Sequence, residues 1–351
     1  MGGGAVVHIP DGYLGPQTYL PAWGVMAPVW SWAAARLKRT LRRRQLPLMA
    51  LAAAFTFVVM MFNVPLPGGT SGHAVGAVLV AVLLGPWAAV VAVSLALAVQ
   101  ALLFGDGGIT ALAANCLSMA VIMPSAGWWT YRLLAGRAGS PPRRRALAAG
   151  IGGYVGVNAA ALATGVLLGI QPLAAHDALG RALYCPFGLA VAVPAMVLPH
   201  LLAIGFVEAA VTGLGLAYVM RTDPEIPIAA TPGPGDRPLH RLAAAVVVLL
   251  LLAPLGLIAS ARLGAGTAWG EWSAGELAAI AGRLPAGFDR LVSLWRAPLP
   301  DYGLPGAEGS PTASQAVWYG VSAALGVAVI VAAVLALRRL AAGKGSGDAA
   351  P

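Results

Sequence analysis

Residues 68–104, GGTSGHAVGAVLVAVLLGPWAAVVAVSLALAVQALLF, contain no Asp, Glu, Lys or Arg. After a polar, glycine-rich opening they run apolar in two stretches, 72–85 and 87–104, parted by Gly85 and Pro86. A helix rises about 1.5 Å per residue, so about 20 apolar residues cross a bilayer, and the second stretch has nearly that length. Outward from it, comparable runs recur at about 17–35, 47–64, 109–135, 147–169, 185–220, 240–261 and 316–337, which makes nine in all. The 72–85 run is short for a crossing. Pro124, Pro194 and Pro199 interrupt two of the longer runs and predict kinked or broken helices there. The expected fold is an all-α integral membrane protein, a seven-span helical bundle followed by two C-terminal transmembrane helices.

Composition agrees. Of 351 residues 59% are hydrophobic and 10% charged, and the mean hydropathy is +0.79. A soluble domain carries about 25% charge, so both a soluble globule and a disordered chain are excluded. The net charge of +9 would suit a nucleic-acid binder only if the bases formed a patch. Instead they sit between spans: Arg36 to Arg44, Arg132 to Arg145, Arg221 with Arg237 and Arg241, and Arg338, Arg339 and Lys344. With nine spans all four clusters fall on one side, which the positive-inside rule makes cytoplasmic. The N-terminus and the long segment 262–315 are then expected outside and the C-terminus in the cytoplasm. Residues 222–238, TDPEIPIAATPGPGDRP, read as a cytoplasmic linker. The chain is thus expected to divide into a membrane core at 1–221, the linker, and a two-span region at 239–351.

There is no G-x-x-x-x-G-K-[ST] loop, no H-E-x-x-H and no G-x-S-x-G, so ATP binding by a P-loop, zincin and serine-hydrolase readings have no support, and no catalytic residue is expected. Ionisable groups at membrane depth are costly enough to mark function. His8 in VHIPDGYL and His73 in PGGTSGHAVG stand at the outer mouths of spans, where imidazole suits nickel, cobalt, copper or zinc. The bland alternatives are a solvated terminal residue for His8 and a polar helix-start residue for His73. His200 and Glu208 lie eight apart on similar helical faces, as a proton or cation relay or as structural hydrogen-bonding groups. Asp106 in FGDGG and Asn115 in ALAANC suit groups that orient a ligating histidine or backbone. Asp106 would equally cap a helix starting near Ile109. His176 and His240 read as solvated. Glu271, Glu276, Asp289 and Asp301 in the outer segment are expected to attract cations, or simply to belong to a spacer.

Taken together, HIPDGYL at 8–14, the 68–89 stretch, LLFGDGGITALAANCLSMA at 102–120 and PHLLAIGFVEAAVTG at 199–213 resemble the substrate-binding component of energy-coupling factor importers for cobalt or nickel, the CbiM/NikM type. The tail resembles the two-span CbiN/NikN partner, with PLPDYGLPG at 298–306 similar to a motif of its nickel variant. The resemblance implies Ni(II) or Co(II) as transported substrate and a bacterial or archaeal cytoplasmic membrane. It also implies a transmembrane coupling subunit and two cytoplasmic ATPases on separate chains as partners, with lipid but no nucleic acid. In the family the ion is held by the terminal amine, the backbone nitrogen and imidazole of a histidine in second position, and a second imidazole; His8 and His73 match. Six residues precede Val7 here, so the amine fits that set only if translation starts at Val7, giving Met-His-Ile-Pro-Asp-Gly. Neutral imidazoles and a deprotonated amide imply that binding releases protons and weakens below about pH 6. The rival reading is a proton-coupled secondary permease working without ATPases through His200 and Glu208; it calls for paired internal repeats, which the sequence lacks.

Overall fold

The computed structural model describes residues 8–40, 46–66, 70–136, 140–222, 240–263, 269–306 and 310–343. Every apolar run foreseen above contains a helix. Helix α1 spans Pro16–Thr40, α2 Leu46–Met60, α3 Ala77–Leu84 and α4 Pro86–Val99, which continues through a π turn at Gln100–Phe104. Helix α5, Leu112–Cys116, leads through a π turn at Leu117–Ile122 into α6, Met123–Leu134. Then come α7, Pro142–Gly169, the single turn α8, Gln171–Ala174, and α9, Leu189–Pro199, joined by a π turn at His200–Ile204 to α10, Gly205–Thr222. The C-terminal part contributes α11, His240–Leu252, α12, Pro254–Arg262, short α13 and α14 at Ala274–Ala281 and Ala286–Leu291, and α15, Thr312–Gly343. Among the described residues five helices are long and apolar enough to cross a membrane: Pro86–Phe104, Pro142–Ala174, Leu189–Thr222, His240–Ala259 and Thr312–Ala336. Leu133, Leu202, Phe206, Leu214 and Leu251 stay largely exposed on the bundle's outside, as lipid-facing side chains must.

Two expectations need adjusting. The short third run does not start as helix at 72: Val64–Leu66 (β1) and Thr70–Gly72 (β2) pair antiparallel, and helix begins only after Gly76, whose φ of 70° suits a residue without Cβ. The proline-interrupted runs are not broken but locally widened. Pro124 follows one π turn, Pro199 immediately precedes another, and Pro194 lies within α9 itself; each proline lacks the N–H that would bond the turn before it. The carbonyl of Leu201, inside the third π turn, is instead taken by the Tyr154 hydroxyl at 2.9 Å.

Successive helices bring the segments 8–15, 61–66, 70–76, 105–111, 170–188 and 269–306 to one end of the bundle. Lys38, Arg39, Arg132, Arg144, Arg145 and Arg241 lie at helix ends on the opposite side. Helices α11 and α15 pack on α2, and α15 also meets α4, so the C-terminal helices are laid against the same core that carries the polar end.

Candidate metal site

The site begins with a fixed loop. Ile9 is held on both sides of its peptide by the Asn115 amide, its N–H donating to Oδ1 at 3.2 Å and its carbonyl accepting from Nδ2 at 3.1 Å. Gly108 N–H gives the same carbonyl a second bond at 2.9 Å. Two residues on, the Asp11 carboxylate accepts from the N–H groups of Ile109 and Thr110 at 3.0 and 2.8 Å and from the Thr110 hydroxyl. Asp11 therefore caps the start of the α5 region, the role that the sequence left open for Asp106. A Cβ on Gly108 would overlap the Asp11 main-chain nitrogen, so only glycine lets the two loops lie this close.

This docking buries His8, 2% exposed, beside Asp106, 1% exposed. His8 Nδ1 stands 2.8 Å from Asp106 Oδ1. With Asp106 Oδ1 as the acceptor, Nδ1 carries the ring proton and Nε2 the lone pair. Among the described residues Nε2 is buried with no hydrogen-bond partner. The His73 ring lies across from it, centroids 5.1 Å apart and planes at 73°. His73 Nδ1 is 3.0 Å from the Ala74 carbonyl, which only accepts, so here too Nε2 holds the lone pair.

Glu208 holds the loop after His73. Fully buried, it accepts from Val75 N–H at 2.8 Å, from Gly76 N–H at 3.1 Å and from the Thr212 hydroxyl at 3.0 Å. A carboxylate on the first N–H groups before α3 meets both the unpaired donors and the positive end of the helix dipole. His200, at the start of a π turn, rests Nδ1 on the Met196 carbonyl at 2.6 Å and lines a cavity shared with His8 and His73. Met119, Met123 and Met196 line the same cavity, as does Glu271 from the C-terminal part. Oε2 of Glu271 is buried without a hydrogen-bond partner among the described residues, and burial, with Asp106 adding its charge, holds the carboxyl well above the ordinary carboxylate range.

The structure thus brings His8, His73, Asp106 and Asn115 together, places Glu208 behind the His73 loop and His200 on the cavity wall. Val7 lies outside the described residues. His176 pairs in a β-bridge with Ala182 beside the exposed turn closed by Asp177 and Arg181; His240 starts α11, exposed, at the opposite end. Glu276 completes a capping box with Ser273. Two participants are assigned no role from the sequence, although Tyr302 lies in the PLPDYGLPG motif. Gln100 and Tyr302, both buried, reach Asp106 Oδ2 at 3.4 and 2.6 Å. Among the described residues no three His, Cys, Asp or Glu side chains form a ready metal cluster. Two imidazoles must be supplemented by main-chain or terminal nitrogen, or by water.

Comparison with known proteins gives consistent results. The CbiM family model, a cobalt uptake substrate-specific transmembrane region, matches residues 8–226. The fused nickel transport protein NikMN of Rhodobacter capsulatus is 48% identical over 344 residues, covering 93% of this chain and 96% of the relative. The probable fused nickel transport protein LarMN of Lactiplantibacillus plantarum is 46% identical over 273 residues, 77% of this chain and 79% of the relative. A crystal structure described as a truncated transition metal transporter is 50% identical, with a TM-score of 0.57, and covers 61% of this chain and 99% of that one.

Proposed function

The chain belongs to the CbiM family of cobalt-uptake substrate-specific transmembrane regions, and from that membership and the site geometry we propose that it is the ion-capturing component of an ATP-driven energy-coupling factor importer for Ni(II) or Co(II). It is a multi-pass membrane protein of metal uptake. The observation that carries the proposal is the buried pair His8 and His73, with the lone pair of His8 Nε2 unused and its Nδ1 fixed on Asp106. A carboxylate–histidine pair of this kind orients a metal ligand and raises its basicity. The capturing end faces outward and the basic end inward, by the charge rule applied to the sequence. The ion is released inward when a separate transmembrane coupling subunit and two separate ATPases reorient the complex. Residues 1–221 form the metal-binding core, 222–238 the linker and 239–351 the partner-like region. The names of the two fused relatives, and the higher place of nickel in the divalent affinity order, favour Ni(II).

The amine-based chelate closes its six-membered ring through the histidine Nδ1, which here rests on Asp106. Full-length protein starting at Met1 and a version starting Met-His8 therefore separate the two modes. In calorimetric titration with Ni(II), stronger binding by the shorter version identifies the amine as a ligand, and His73→Ala abolishes binding in either. Binding unaffected by both His73→Ala and His8→Ala would refute the site. Uptake by cells expressing the chain without ATPase partners would refute the ATP-driven reading in favour of a permease.

A further inference from the structure

The stretch Pro298–Gly306 reaches into the core at a point far from it in sequence. Tyr302, 1% exposed, stacks on Phe104 with centroids 4.7 Å apart and planes at 20°. Its carbonyl accepts from the Ser322 hydroxyl of α15 at 2.9 Å, and Leu299 N–H donates to the Leu103 carbonyl at 3.0 Å. The backbone is held in an unfavourable state to do this: Asp301 and Tyr302 have φ of 52° and 60°, left-handed values rare for residues with a Cβ. Strain of this kind persists where surrounding contacts impose it, and it gathers at functional sites.

The chemistry of the phenol is directed. Gln100 Nε2, a donor only, stands 3.0 Å from Tyr302 Oη and occupies its lone pair. The single phenolic proton is left to point at Asp106 Oδ2, 2.6 Å away. With Oδ2 engaged, Oδ1 is the oxygen turned to His8 Nδ1. We propose that Tyr302 is a positioning residue for ion capture, fixing the Asp106 carboxylate so that it in turn fixes the His8 imidazole, and that this is what the fused C-terminal region contributes to the metal site. The inference rests on His8 being an ion ligand through Nε2, with Nδ1 kept on Asp106. Second-sphere partners of this type change metal affinity by about 10- to 100-fold when removed.

The test uses the full chain and Ni(II) or Co(II) alone. Tyr302→Phe keeps the stacked ring and deletes one hydroxyl; it weakens Ni(II) binding about tenfold and shifts the ligand-field absorption of bound Co(II). Tyr319→Phe, in the same aromatic cluster but donating to the Met61 carbonyl, leaves both unchanged. In an Asp106→Asn background Tyr302→Phe costs nothing further, because its effect passes through Asp106. Tyr302→Phe within twofold of the parent, or the same loss with and without the Asp106 carboxylate, overturns the proposal. The site and the proposal fall together if His8→Ala binds normally; if His8→Ala abolishes binding and Tyr302→Phe does not weaken it, only the positioning role falls.

Discussion

Replacing Glu208 by Gln tests how the His73 loop is held. The carboxylate is buried at 0% exposure and takes the N–H groups of Val75 and Gly76 and the Thr212 hydroxyl. An amide of the same volume can keep its oxygen on the Val75 and Gly76 N–H groups, but it places an NH2 opposite Thr212, whose hydroxyl must turn to accept, and it removes the charge from every bond in the set. A hydrogen bond to a charged group contributes about 1.5–3 kcal/mol, and the anion at the start of α3 adds about 0.3–1 kcal/mol. The expected cost is about 2–4 kcal/mol. If all of it falls on the segment carrying His73, Ni(II) binding weakens by about 30- to 1000-fold, at 1.4 kcal/mol per decade. Calorimetric titration of the purified chain reads the affinity, and tryptophan fluorescence on heating reads the stability. Unchanged affinity and stability would refute the reasoning. If uptake were lost at the same time, Glu208 would be a proton-carrying group, as the secondary-permease reading requires.

Two further substitutions follow from the same geometry. Gly108→Ala should force the N-terminal loop off the 105–111 turn, since the added methyl overlaps Asp11; Ni(II) binding is lost while helix content by circular dichroism stays, and intact binding would show that the docked loop is dispensable. Glu271→Gln should raise the unfolding temperature of the metal-free protein at about pH 8 and leave it nearly unchanged at about pH 4. The sign follows from the raised carboxyl pKa: the folded state binds the proton more tightly than the unfolded chain, so stability is full below the ordinary value of 4.5 and declines as pH rises through the higher folded value. A stabilisation larger at the acid end would contradict the burial of this carboxyl.

The helices were legible because lipid is a simple solvent. It demands that backbone groups pair within each segment, so long apolar runs mark helices, although only five of the nine runs give a helix long and apolar enough to cross among the described residues. What hydropathy misread was the start of the third run. Residues 70–76 are polar and glycine-rich but lie against an apolar stretch, and a running average blends them into it. Their actual state, ribbon and then a loop capped by Glu208, depends on a side chain more than 130 residues away.

The candidate site shows the same division between local and distant information. His8 and His73 could be singled out from sequence as imidazoles at the outer face, His73 among glycines at the mouth of an apolar run, although each also admits a bland reading as a solvated or helix-start residue. Asp106 could be named too, but its two candidate roles were distinguishable only once Asp11 was found at the N–H groups of Ile109 and Thr110. Tyr302 could not be reached this way. Its partner Asp106 is 196 residues distant, and the resemblance that singles out PLPDYGLPG gives Tyr302 itself no role. The structural cue is energetic: two residues with Cβ atoms held at positive φ need a compensating gain, and the compensation found is a buried hydrogen bond to the carboxylate that holds His8. A fused tail that merely added two membrane helices would gain nothing from that strain. Its presence is the physical reason for the proposal that the C-terminal region takes part in the candidate metal site.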